Sequence, residues 1–164
     1  MVIPPDEIKA GNWISLKYPG SLIAAHKVLE VREYGVVIEK EGAHSFIKAG
    51  NNREYPELLR TQVVDFRGIK GIPLTCEILE SCGFKMNDIA ILKGQSGTED
   101  SISTYYSDEH LFMLHYQQGP RNIFTHASNN SNIEFVHQLQ NLYSNCMNRE
   151  LEISIEPFNF QYNS

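Results

Sequence analysis

A chain of 164 residues, 41% hydrophobic and 21% charged, holds enough apolar material for one domain or two small ones, and too much for wholesale disorder. No apolar run approaches the roughly 20 residues of a membrane-spanning helix. The opening MVIPPDEIK carries prolines and acids where a secretory signal needs a basic tip and an apolar stretch, so a cytoplasmic protein with no membrane partner is expected.

The net charge of −6 is unevenly spread: residues 1–72 hold ten Lys/Arg against nine Asp/Glu (+1), residues 73–164 four against eleven (−7). The acidic half would repel a phosphate backbone, and the first half lacks the basic excess to hold one tightly.

In chain order, the first elements read as β. Asn12–Lys17 is a short strand opened by Gly11. After Pro19-Gly20, Val28–Arg32 and Val36–Lys40 flank a turn ending at Gly35, which is a hairpin signal. "AHSFIKAGNN" (43–52) and "TQVVDF" (61–66) add two more strands. Short strands between Gly-containing turns predict a small SH3-like β-barrel over residues 1–71.

Residues 72–164 change character. Pro73 breaks the strand pattern, and Thr75 is a good N-cap because its hydroxyl can accept a backbone N–H. Glu77 favours the helix dipole, Ile78, Leu79 and Cys82 form an apolar stripe, and Gly83 stops the helix. Ile89–Leu92, Ser101–Tyr106, His110–Tyr116 and Asn122–Thr125 read as strands, with "SDEH" (107–110) as a hairpin turn. Ser131 and Glu134 have capping-box spacing and open an amphipathic helix over 131–147. Its wheel puts Phe135, Val136, Leu139, Leu142, Tyr143, Cys146 and Met147 on one half. Leu151, Ile153 and Ile155 then alternate like a final strand. The expected class is α+β, the barrel followed by an antiparallel sheet with two helices.

Catalytic signals are weak. "GQSGT" (94–98) has Thr98 where a nucleophile elbow around Ser96 needs glycine, and no G-K-[ST] follows for a phosphate loop. Asp108, Glu109 and His110 point alternately to opposite faces on a strand and cannot converge on one metal. The histidines at 26, 44, 110, 115, 126 and 137 lack metal-ligand spacing on a helix and read as structural. Tyr105, Tyr106, Phe112 and Tyr116 could stack bases, but core packing accounts for them as well. Cys76, Cys82 and Cys146 fit no disulfide or zinc pattern and read as reduced, mostly packed thiols. No catalytic, cofactor or metal residues are expected.

The most distinctive feature is the polar half of the last helix. From Asn122 to Asn148 there is one charged side chain, Glu134, and seven of the twenty-seven residues are asparagine. Amides supply donors and acceptors without the desolvation cost of a charge. His137, Gln138, Asn141, Ser144 and Asn145 are therefore the candidate interaction face, toward another copy or another protein.

"IKAGNWI" (8–14), "IPLTCEILESCGF" (72–84) and "VHQLQNLY" (136–143) followed by "RELEI" (149–153) resemble a family of small bacterial proteins of prophage and mobile-element type. That family carries no assigned activity, cofactor or catalytic residues. The resemblance implies a cytoplasmic protein of phage-like origin and transfers no site. The expected function is a non-enzymatic interaction or assembly module. The alternative is weak nucleic-acid binding through the barrel, by Lys9, Lys17, Lys27, Arg32, Lys40 and Lys48.

Overall fold

A computed structural model describes residues 2–16, 25–39, 61–93, 99–107, 112–118 and 123–153, with backbone alone for 88–93 and 99–100. Among the described residues the chain is α+β, with two five-stranded antiparallel sheets and two α-helices. It divides into two compact units, one containing Met1–Ile72 and the other Pro73–Glu156.

The first unit contains β1 (Trp13–Leu16), β2 (Ala25–Arg32), β3 (Gly35–Glu39), β4 (Thr61–Asp65) and β5 (Ile69–Lys70), in the order β4-β3-β2-β1-β5. Alternation along the strands sends Ile14, Leu16, Val28, Val36 and Ile38 inward, where they join Ile3, Ile8 and Ile69 in one core. The register slips between Val28 and Glu30, so Leu29 is the extra residue of a β-bulge. A 3₁₀ turn, Phe66–Gly68, connects β4 to β5 and thereby carries the chain from one edge of the sheet to the other. Asp65 opens that turn by accepting the Arg67 backbone N–H at 2.8 Å. Buried Ser15 donates its hydroxyl to the Lys70 carbonyl at 3.2 Å, which removes the cost of a hydroxyl in the core. The strand expected over 43–52 lies outside the described residues.

The second unit runs α1 (Cys76–Ser81), β6 (Lys85–Lys93), β7 (Glu99–Tyr106), β8 (Met113–Gln117), β9 (Ile123–His126), β10 (Asn132–Ile133) and α2 (Val136–Met147). Its strands form a meander in which every strand pairs with its neighbour in sequence. A six-residue helix has no stability of its own; α1 persists because Ile78 and Leu79 are buried. Thr75 caps it as expected, accepting the Ile78 N–H at 3.3 Å. Gly83 follows in the left-handed conformation, φ 84°, and the Phe84 N–H returns to the Leu79 carbonyl. Thr75→Ala should cost about 1 kcal/mol, measurable as a lower urea midpoint with unchanged slope.

Three expectations are corrected. First, α2 begins at Val136, not at Ser131. Asn132 and Ile133 instead pair with Thr125 and Phe124 on β9, which buries Ile133 to 2%. The cap is made by Gln138, whose Oε1 accepts the Glu134 and Phe135 N–H groups at 2.9 and 3.3 Å. Second, the helix is turned about its axis. Val136, His137, Leu139, Gln140 and Tyr143 are its buried residues, while Leu142 is half-buried and Cys146 is exposed. Cys146 is therefore not a packed thiol; Cys76 and Cys82 are half-buried. Third, Leu151–Ile153 form no strand; Leu151 is simply buried, and Ile155 lies outside the described residues.

Candidate interaction surface

The five helix residues singled out by composition do not share one open face. His137 is 1% exposed and stacked on the Phe135 ring at 5.8 Å. Gln138 is committed to the helix cap. Asn141 and Ser144 are half-buried, and Asn145 is exposed. Gln140, not singled out, is buried at 9%. Much of the uncharged character of α2 is thus turned toward its own unit.

Both helices of this unit lie on one face of its sheet. Phe112, just before β8, packs against Tyr143 of α2 (5.2 Å), Phe84 (6.0 Å) and His126 (4.7 Å). Cys76 of α1 is beside Tyr105 and Tyr116. Burial, with that thiol as hydrogen-bond neighbour, pushes the Tyr105 hydroxyl far above the ordinary tyrosine range, and burial likewise raises Tyr116. Of the aromatics considered for base stacking, Tyr105 and Phe112 are core residues and Tyr116 stacks on Phe124 at 4.8 Å. Only Tyr106 points to the opposite face, because side chains alternate along a strand.

That opposite face is read from the register. Thr104, His115, Thr125 and Asn132 stand opposite one another across β7, β8, β9 and β10. Thr104 Oγ1 lies 3.3 Å from His115 Nδ1, and Thr125 Oγ1 donates to Asn132 Oδ1 at 3.4 Å. On one side of this row are Ile102, Gln117 and Ile123; on the other, Tyr106 and Met113. None of the nine has a formal charge with histidine neutral, and each is half-buried or exposed, with Met113 at 42% and Ile123 at 39%. In the register of β6, Lys85 pairs with Tyr106 and Asp88 with Thr104, so two charged residues adjoin these nine.

The charged residues of the first unit are arranged differently. Arg32 binds Glu30 and Arg67 binds Asp65, each at 3.0 Å. Hydrogen bonds from the Arg67 side chain and backbone hold the Asp65 carboxyl down to about 2. Lys9 and Lys27 are exposed, whereas Lys17, Lys40 and Lys48 lie outside the described residues. So do Ser96 with its "GQSGT" stretch, the 108–110 tripeptide, and His44. Among the described residues no group of three or more His, Cys, Asp or Glu side chains could hold a metal, and no helix is long and apolar enough to cross a membrane.

The second unit also contains a pocket of about 270 Å³, lined by Met113, His126, Ala127, Ser128 and Cys146. No sequence pattern marked it, since its walls come from β8, the end of β9 with its following turn, and the last turn of α2. No family model, curated protein or solved structure matches the chain.

Proposed function

We propose that this protein is a non-enzymatic interaction module that associates with a second copy of itself through the open face of β7–β10. The observation that carries the reading is the uncharged row Thr104–His115–Thr125–Asn132 with its apolar flanks. A chain of net charge −6 repels its own copies. Contact is then favoured where two copies meet without opposing like charges. A two-fold interface sets one patch against itself, so it needs donors and acceptors on the same surface, and threonine, histidine, asparagine and glutamine supply both.

Size sets the strength. Four strands about 4.8 Å apart and five residues of about 3.3 Å each make a patch of roughly 300 Å². This is well short of the ~800 Å² per partner of a stable complex, and the expected dimer is weak.

Light scattering should show mass rising with concentration up to about 1 mM. Thr125→Glu and Thr125→Lys should each stay monomeric, and an equimolar mixture should recover the dimer. A wild-type chain that is monomeric throughout overturns the reading.

Within the same proposal the first unit is an SH3-like half-barrel. Its strand order β4-β3-β2-β1-β5 and the 3₁₀ turn between β4 and β5 support this. The three phrases resembling prophage-type proteins support a phage-like origin.

A further inference from the structure

His126 closes β9 and is 5% exposed, with its ring 4.7 Å from that of Phe112. One edge of the ring is anchored: Nδ1 lies 3.1 Å from Asn129 Oδ1 and 3.0 Å from Ser128 Oγ, both in the turn after β9. Nε2 has no hydrogen-bond partner among the described residues, yet it is not sealed from solvent. The same ring lines the pocket of about 270 Å³, together with Met113, Ala127, Ser128 and Cys146. A polar atom on an otherwise buried side chain is costly to leave unpaired, and a small molecule in the pocket can meet this one.

The remaining walls narrow the chemical class. Among the described residues they carry no charge with histidine neutral, so an ionic ligand would lose water and gain no counter-charge. Met113 and Cys146 contribute sulfur and Ala127 a methyl group; polarisable sulfur makes favourable contacts with aromatic rings. A hydroxyl both donates and accepts, so it suits Nε2 in either tautomer of the imidazole. The volume lies just below the range that holds drug-sized ligands, which admits roughly ten heavy atoms or fewer.

We propose that this pocket binds a small uncharged aromatic alcohol, with its hydroxyl on His126 Nε2 and its ring against the sulfurs of Met113 and Cys146. Ser128 and Asn129 are positioning residues that fix the imidazole from its other edge. No bond is made or broken, and the inference is independent of self-association.

The test is a titration of the full chain with phenol, followed by amide and imidazole chemical shifts at about 50 µM protein, where a weak dimer is dissociated. Saturable shifts at Met113, His126, Ala127, Ser128 and Cys146, with a Kd of about 1 mM, are expected for a ligand of this size. Toluene has a ring of the same kind without the hydroxyl. It should bind about three- to tenfold more weakly, the worth of one hydrogen bond. Cys146→Phe, at an exposed position, fills the pocket and should abolish saturation. His126→Phe keeps a ring but removes Nε2, and should bring phenol down to the level of toluene. The comparison of phenol with toluene on the wild-type chain needs no variant to fold. Absence of saturation up to about 20 mM phenol overturns the proposal. So does toluene binding as tightly as phenol, or a Cys146→Phe chain that binds phenol as the wild type does. Shifts that respond to dilution without phenol report on the open face alone, so the two readings fail separately.

Discussion

Replacing Phe112 by alanine should remove about 3–5 kcal/mol from the stability of the second unit. The ring is fully buried and touches Phe84, Tyr143 and His126, side chains from three separate stretches of the chain. Removing it deletes the transfer free energy of the ring and leaves a cavity. Its neighbours are poorly placed to fill that cavity, because Tyr143 and His126 are themselves tied to a helix and a strand. A loss of this size is a large fraction of the 5–15 kcal/mol of an ordinary domain. Urea unfolding followed by near-ultraviolet circular dichroism should show a much earlier transition. Phe112→Leu, which keeps most of the apolar volume, should cost clearly less. Equal costs for the two variants would mean that the aromatic cluster is not the centre of this unit.

Gly35→Ala should be nearly as damaging, for a different reason. A glycine inside a strand normally weakens it, so alanine at a compatible site would help by about 0.4–1 kcal/mol through the unfolded state. Here the sign reverses. A Cβ at Gly35 would sit 2.1 Å from the Val64 carbonyl oxygen and 2.9 Å from its carbonyl carbon. Those atoms are backbone of β4 and cannot swing away without opening the ladder that pairs Gly35 with Asp65 and Val36 with Val64. A loss of about 3 kcal/mol is expected, at the upper end for overpacking. It would appear as a lower urea midpoint of the first unit. A variant within 1 kcal/mol of wild type would show that β3 and β4 separate easily.

Gly35 also shows how far the sequence could be read. Its turn-and-hairpin setting was legible, because two β-branched runs flanking a short polar turn form a local pattern. Its close approach to β4 was not, because Val64 is almost thirty residues further along. Thr75 and Gly83 were legible for the same local reason: a cap depends on residues three or four apart. The start of α2 was misread where a local and a non-local signal compete. Ser131 and Glu134 have the spacing of a capping box, but Ile133 gains more by pairing with Phe124 on β9 than by extending the helix. The rotation of α2 is a related case. A helical wheel sorts residues by polarity, and so places Cys146 inside and His137 outside. The folded chain instead buries His137 against Phe135 and leaves Cys146 beside a pocket. Polar residues can be buried wherever tertiary partners are at hand, and those partners are not visible in a single helix.

The nearly uncharged stretch from Asn122 to Asn148 is not confined to the helix. Thr125 and Asn132 fall within that stretch and lie on the sheet, and their row is completed by Thr104 and His115 from before it. Strand register, which single-sequence periodicity cannot supply, brings the four together.

The proposed meeting of copies on this row can be tested directly. Its most direct test is a map of amide chemical shifts over a dilution series, from about 1 mM down to about 10 µM. Concentration-dependent shifts confined to Thr104, His115, Ile123, Thr125 and their strand neighbours are the predicted result. Shifts that stay constant on dilution, or that move on α2 or in the first unit while these residues stay still, would contradict it.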